Sequence, residues 1–265
     1  RRNSAYAIDK LLDSNIFDSA SSNNFNLCNI LTGSEGTLAI STKIKLKLDN
    51  LPPKYESLVI LHFNSISDCL NAVNLVMTHD LYSCEMLDKT ILDLTKHNKQ
   101  QLSNRAFLVE DPEAILMCEL RANSNNELHK QLQLFLHDIK SNSPAFAYPA
   151  LNGSEKDKAI DLRKAGLGLL GNMIGDHKAV ACIEDSAVSL EDLPAYINEF
   201  SLLMKRFNQK PVYYAHAGAG ELHLRPVLNL KLPSDVQQFK SITKEVAKLV
   251  KKYNGSLSGE HGNGI

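Results

Sequence analysis

The 265-residue chain is 43% hydrophobic and 22% charged, an ordinary globular balance with length for one large domain or two smaller ones. Its net charge of −1 and pI of about 6.8 set up no global field for nucleic acid or an anionic membrane. No apolar run approaches the ~20 residues that span a bilayer, and five scattered cysteines (Cys28, Cys69, Cys84, Cys118, Cys182) without CxxC spacing exclude a disulfide framework and a zinc ribbon.

Those cysteines read as buried thiols of a reducing compartment, which places the protein in the cytoplasm. The chain opens at Arg1 without an initiator Met, carries no signal peptide and stops just after a glycine-rich motif, which suggests a piece of something longer. Residues 1–34 are rich in Asn and Ser, and "DSASSNNFN" (18–26) reads as loop. "GSEGTLAI" (33–40) puts Gly33 and Gly36 ahead of a strand, where backbone N–H groups can approach a phosphate or ring; a plain turn explains it equally well. "TLAISTKIKLKL" (37–48) alternates apolar and polar residues, the period of a half-buried strand. The paired prolines of "DNLPPKY" (49–55) mark a domain boundary.

Beyond that boundary one pattern occurs twice. Strand "ESLVILHF" leads to helix "SISDCLNAVNLVMTHD", with Ser65 or Ser67 as its cap, then to short strand "YSCEML". A charged helical stretch (88–104) precedes strand "AILMCELRA", helix "SNNELHKQLQLFLHDIK" and the extended "PAFAYPA". Helix "EKDKAIDLRKAGLGLL" joins the halves. The second half runs strand 179–188, helix 190–207, strands "PVYYAHA" and "ELHLRPV", helix 234–252 and short strand "GSLSG". The order β-α-β-β-α-β is that of a ferredoxin-like unit. The fold class is therefore α+β: two such units, roughly 55–150 and 178–260, forming a mainly antiparallel sheet with helices on one face.

The chemistry concentrates in "YYAHAGAGELHLRP" (213–226). A two-residue turn at Ala219-Gly220 makes His216 and His223 direct cross-strand partners, with Cβ atoms ~5 Å apart. That spacing suits two imidazoles on one metal ion, and equally a cross-strand pair of histidines. In "GSLSGEHGNGI", Glu260 follows the last strand of the same sheet and is a candidate third ligand; two histidines and a carboxylate with an open position make a catalytic metal site. His261, adjacent but pointing the other way, is available for proton transfer. Arg163, Lys178 and Arg225, the last on the His223 face, suit an anionic substrate.

"RRNSAYAIDKLL", "GSEGTLAISTKIKLKL", "HAGAGELH" and "SGEHGNGI" together resemble FAD-linked oxidases of the vanillyl-alcohol oxidase superfamily, in the D-2-hydroxyacid branch that includes D-lactate, glycolate and D-2-hydroxyglutarate dehydrogenases. "YYAHAGAGELHLRPVLNL" and "IEDSAV" resemble the large bacterial members with a C-terminal iron–sulfur region. The resemblance implies that residues 1–50 are the C-terminal part of an FAD-binding (PCMH-type) domain and 51–265 a cap, or substrate, domain. It implies FAD, a zinc-like divalent metal held by His216, His223 and Glu260, and His261 as general base. Arg163, Lys178 and Arg225 fall at substrate-contacting positions, and Gly33, Ser34, Glu35, Gly36 and Thr37 at a second FAD-contacting segment. The common family form is HxGDGNxH, where this chain has Ala219 for the Asp and Glu221 for the Asn; Leu167 stands where a D-2-hydroxyglutarate enzyme uses a Thr. Partners implied are a small anionic 2-hydroxyacid, an electron acceptor (quinone, iron–sulfur relay or electron-transfer protein) and a second copy of the chain as a homo-oligomer, with peripheral attachment at the inner membrane. The rival readings are a non-catalytic ferredoxin-like module that binds metal or an anion, and a metal-free flavin oxidase acting on another alcohol.

Overall fold

A computed structural model describes residues 6–12, 25–96 and 98–262, so most of the expected loop at 18–26 and the last three residues of the glycine-rich terminus lie outside the described residues. The chain divides into two compact units, Arg1–Leu51 with Ser258–Ile265, and Pro52–Leu257.

The first unit carries helices α1 (Ile8–Leu12) and α2 (Cys28–Leu31). The alternating segment 37–48 forms no strand. Leu38, Ile40, Ile44, Leu46 and Leu48 are all exposed. Period-2 alternation marks a strand only where a partner strand takes up its hydrogen bonds and apolar face, and among the described residues this segment pairs with none.

The second unit follows the expected order closely. It runs β1 (Tyr55–Phe63), α3 (Ile66–Val76), β2 (Ser83–Asp88), α4 (Lys89–Lys96), β3 (Ala114–Ala122), α5 (Asn125–Asn142) and β4 (Ala150–Leu151). Helix α6 (Gly153–Leu170) then leads to β5 (Lys178–Ala179), β6 (Ile183–Ala187), α7 (Leu193–Arg206), β7 (Val212–His216), β8 (Glu221–Arg225), β9 (Val227–Leu228) and α8 (Pro233–Lys252). Local chemistry sets the boundaries. Ser65 Oγ accepts from Asp68 N at 3.0 Å to open α3. Ser124 Oγ accepts from Glu127 N to cap α5, while the Glu127 carboxylate accepts from Asn123 N, one residue before the cap, at 3.0 Å.

Seven strands form one sheet in the order β4-β1-β3-β2-β7-β8-β6. The first half has the full four-strand ferredoxin-like order β4-β1-β3-β2 and the second its first three strands, β6-β8-β7. The halves join edge to edge where β2 pairs antiparallel with β7, Met86 opposite Ala215 and Leu87 opposite Tyr214. Asp88 clips this seam: its carboxylate accepts from Tyr213 N at 2.9 Å and from Ile91 N at 3.1 Å, the latter in α4. Burial pushes the Asp88 carboxyl up to about 6, against the pull of those backbone donors.

Two expected strands are shorter than their pattern suggests. Of 179–188 only Ile183–Ala187 joins the main sheet; Lys178 and Ala179 pair instead with Leu228 and Val227 in a small second sheet. "GSLSG" is reduced to a single bridge between Ser256 and Ala187.

Helices α3, α5, α7 and α8 gather on one face over Val59, Leu61, Phe63, Leu222 and Leu224. The opposite face behind the first repeat is covered as well: Leu58, Ile60, Leu87 and Ile115 pack with Ile91 of α4 and Ala159 and Leu162 of α6. Gly166 permits this approach, since a Cβ there would meet Ile91 Cγ2 at 2.8 Å. Behind the second repeat the same face changes character.

Candidate functional site

Alternation along β7 and β8 sends Tyr213, Ala215, Leu222 and Leu224 into the helix-covered core and turns Tyr214, His216, Glu221, His223 and Arg225 to the other face. The hairpin register differs from the expected one. His216 lies opposite Glu221 and His223 opposite Tyr214, so the two histidines are diagonal rather than direct partners. The turn uses four residues, 217–220, closed by Gly220 N donating to Ala217 O at 3.0 Å. Gly220 has φ +67°, and a Cβ there would meet Val188 O at 2.1 Å, so only glycine closes the loop this way. Because the register moves by two residues, the faces are preserved. The imidazole centroids stand 5.2 Å apart.

His223 is buried, and its Nδ1 donates to the Glu184 carbonyl. A carbonyl only accepts, so Nδ1 carries the hydrogen and Nε2 is the atom this ring presents to a ligand. His216 Nδ1 lies 3.0 Å from Glu85 Oε2 on β2, a carboxylate–histidine pair of the kind that orients metal ligands. Ligand atoms of His216, Glu221 and His223 lie within 4.8 Å of one another, and Glu221 is 2% exposed. Two imidazoles and a carboxylate at that separation are a donor set that suits a divalent first-row ion.

Two arginines flank this set. Arg163, on α6, donates to Glu85 at 2.5 Å, approaches His216 Nδ1 at 3.2 Å and stacks 4.9 Å over the Tyr214 ring. Its buried Nε makes no hydrogen bond among the described residues. Arg225 forks onto Glu184 with Nε 2.7 Å from Oε2 and Nη2 on Oε1. Lys178 is not brought into this row: its ammonium bonds the Met173 and Gly171 carbonyls just past α6.

The remaining expected residues belong to the first unit. Glu35 (φ 49°) and Gly36 (φ 76°) are both left-handed, and Thr37 N donates to Ser34 O at 2.9 Å, a tight turn within Gly33–Thr37. Tyr6 Oη bonds Thr37 Oγ1 at 2.6 Å. Glu260 and His261 do not diverge as a strand would make them: His261 Nε2 lies 3.6 Å from Glu260 Oε1, because Gly262 (φ 81°) donates back to Ser258 Oγ and coils the segment.

Sequence reasoning missed Glu85, Glu184 and Glu221 as members of the site. Glu221 carried a signal, since it lies two residues before His223 and shares its strand face. Glu85 carried none, being 131 residues from its partner His216.

The family model described as "FAD linked oxidases, C-terminal domain" matches residues 52–265. The chain is 33% identical over 249 residues to a D-2-hydroxyglutarate dehydrogenase of Pseudomonas putida and 33% identical over 261 residues to that of Haemophilus influenzae. These alignments cover 91% and 95% of this chain, which spans about a quarter of each relative's length (25%). It is 23% identical to the glycolate oxidase subunit GlcD of Escherichia coli, over 93% of this chain and 48% of that protein. Among solved structures, 4-ethylphenol oxidase from Gulosibacter chungangensis superimposes with a TM-score of 0.55 at 9% identity, covering 80% of this chain and 46% of the oxidase. Alkyldihydroxyacetonephosphate synthase gives 0.55 at 13% identity, over 88% of this chain and 45% of the synthase. At such identities these structures speak for the fold alone.

Proposed function

The chain belongs to the FAD linked oxidases, C-terminal domain family, a membership that implies FAD, and from that premise we propose that the whole protein oxidises a D-2-hydroxyacid to the 2-oxoacid. D-2-hydroxyglutarate is the leading substrate and D-lactate the next, following the relatives' names. Residues 1–50 are the proposed end of the FAD-binding domain, with Gly33, Ser34, Glu35, Gly36 and Thr37 against the flavin, and 51–265 the cap that holds the substrate. The observation that carries this reading is the row of His216, Glu221 and His223 between Arg163 and Arg225 on one face of the second repeat.

In the proposed arrangement His216, His223 and Glu260 hold a divalent ion, zinc by its ligand types. When bound, the ion lowers the pKa of the substrate hydroxyl and the flavin accepts the hydride. The chain's own residues do the rest. Arg163 and Arg225 face the substrate carboxylates; each guanidinium has donors beyond those its glutamate takes, and the buried Arg163 Nε is one of them. Lys178, whose ammonium is taken by the Met173 and Gly171 carbonyls, stands outside this proposed arrangement. His261 takes the hydroxyl proton at an imidazole nitrogen. Electrons then leave for a quinone, an iron–sulfur relay in a C-terminal region of the whole protein, or an electron-transfer protein. Among the described residues no helix is long and apolar enough to cross a membrane. All five cysteines are unpaired, which supports the reducing cytoplasm, with peripheral contact at the inner membrane, as the site of action.

The test is to mix the flavin-loaded whole protein with D-2-hydroxyglutarate, D-lactate and glycolate and to record the flavin spectrum. Bleaching by D-2-hydroxyglutarate at the lowest concentration is expected. An unchanged spectrum with all three ends the proposal.

A further inference from the structure

Glu221 stands where the family form HxGDGNxH has Asn, and the structure gives that difference a place. It opens β8 directly opposite His216, shares a face with His223 two residues later, and is 2% exposed. We infer that Glu221 is itself a metal ligand, so that the β7–β8 hairpin forms a two-histidine, one-carboxylate site by itself. This rests on the proposed metal-assisted reading, which it extends with a ligand that reading does not use.

Three features converge. The closed turn fixes the positions: Gly220 cannot be replaced without striking Val188 O, and at Gly218 a Cβ would meet Cys84 Cβ and Met77 Sδ, each at 3.0 Å. The loop therefore has little freedom to carry Glu221 away from His216. The imidazoles are also pre-oriented, since His223 spends Nδ1 on the Glu184 carbonyl and His216 holds Nδ1 against Glu85. Finally, the ligand atoms are near enough. Bonds of about 2.0–2.2 Å to one ion bring its ligands to roughly 3–4 Å from each other, and the three atoms here already lie within 4.8 Å, so small side-chain rotations close the set.

The chemical consequence is a site with one more negative charge than His216, His223 and Glu260 supply. Two histidines and one carboxylate on one face leave positions open on a six-coordinate ion, enough for the hydroxyl and carboxylate of a 2-hydroxyacid. Harder ions that accept six ligands, Mn2+, Fe2+ and Co2+, gain from Glu221 more than tetrahedral Zn2+ does.

The experiment measures Mn2+ and Zn2+ dissociation constants and bound-metal stoichiometry on the metal-stripped whole protein, by competition with a chromophoric chelator. Wild type is compared with Glu221→Gln, Glu221→Asn and Glu260→Gln. We expect each Glu221 variant to weaken Mn2+ binding at least about tenfold with an unchanged far-UV circular dichroism spectrum, and Glu260→Gln to keep one bound ion at reduced affinity. Wild-type Mn2+ affinity in both Glu221 variants overturns the inference and leaves the proposed function standing. Loss of metal only together with loss of the folded spectrum in both variants also counts against it, and so does a Glu260→Gln protein that holds no ion. A wild-type protein that binds neither ion sinks the metal-assisted reading itself.

Discussion

The two repeats share the order of their first three strands and a helix-covered face, yet their opposite faces do different things. Behind the first, Leu58, Ile60, Leu87 and Ile115 are sealed under α4 and α6. Behind the second, the corresponding face presents Glu184, His216, Glu221, His223 and Arg225. One duplicate carries a second apolar layer that Val212 and Tyr214 of β7 extend, and beyond them the face of the other carries ionisable groups. Glu85 of the first repeat and the helix-borne Arg163 reach across the seam to His216.

The sharpest way to break this contrast is to give the second repeat the first repeat's chemistry. His223→Leu is expected to remove bound metal and lower turnover of the whole protein by more than about 100-fold, with the folded far-UV circular dichroism spectrum retained; a variant that keeps both its metal and its rate shows that this face is not the site. The reciprocal change belongs to the first repeat. Ile60→Ala, at a fully buried position, should cost about 2–5 kcal/mol in urea unfolding while metal stoichiometry stays the same. The seam is tested by pH. The folded Asp88 pKa of about 6 lies above its ordinary 3.8, so between those values the folded state holds more protons than the unfolded one and stability falls as pH rises. The full effect is roughly 3 kcal/mol. Asp88→Asn should flatten that slope between about pH 4 and pH 6, and an unaltered slope assigns it to other groups. The smallest effect is local: Ser65→Ala removes the α3 cap and should lower stability by about 1 kcal/mol without touching the metal.

Much of the fold was legible because it is written in short-range patterns. The run 114–122 reads as a strand and is one, and Ser65 and Ser124 open their helices as capping residues do. The pairing of His216 with His223 on one face was also legible, since parity along two strands survives an even shift in register. The register itself was not, because it depends on how Gly220 fits against Val188 and how Gly218 fits against Cys84 and Met77. The alternating segment 37–48 shows the converse, a strand pattern with no strand.

The sequence by itself determined the twofold β-α-β-β-α-β order, the two histidines of the hairpin and the family to which they belong, because periodicity, capping and motif spacing act over a few residues. Only the tertiary structure decided that the repeats join through β2 and β7, that Glu85 and Arg163 stand beside His216, and that the Glu221 carboxylate lies within 4.8 Å of both imidazoles. Those are contacts between segments far apart in the chain, and their positions follow from packing and hydrogen bonding across the sheet rather than from any local period.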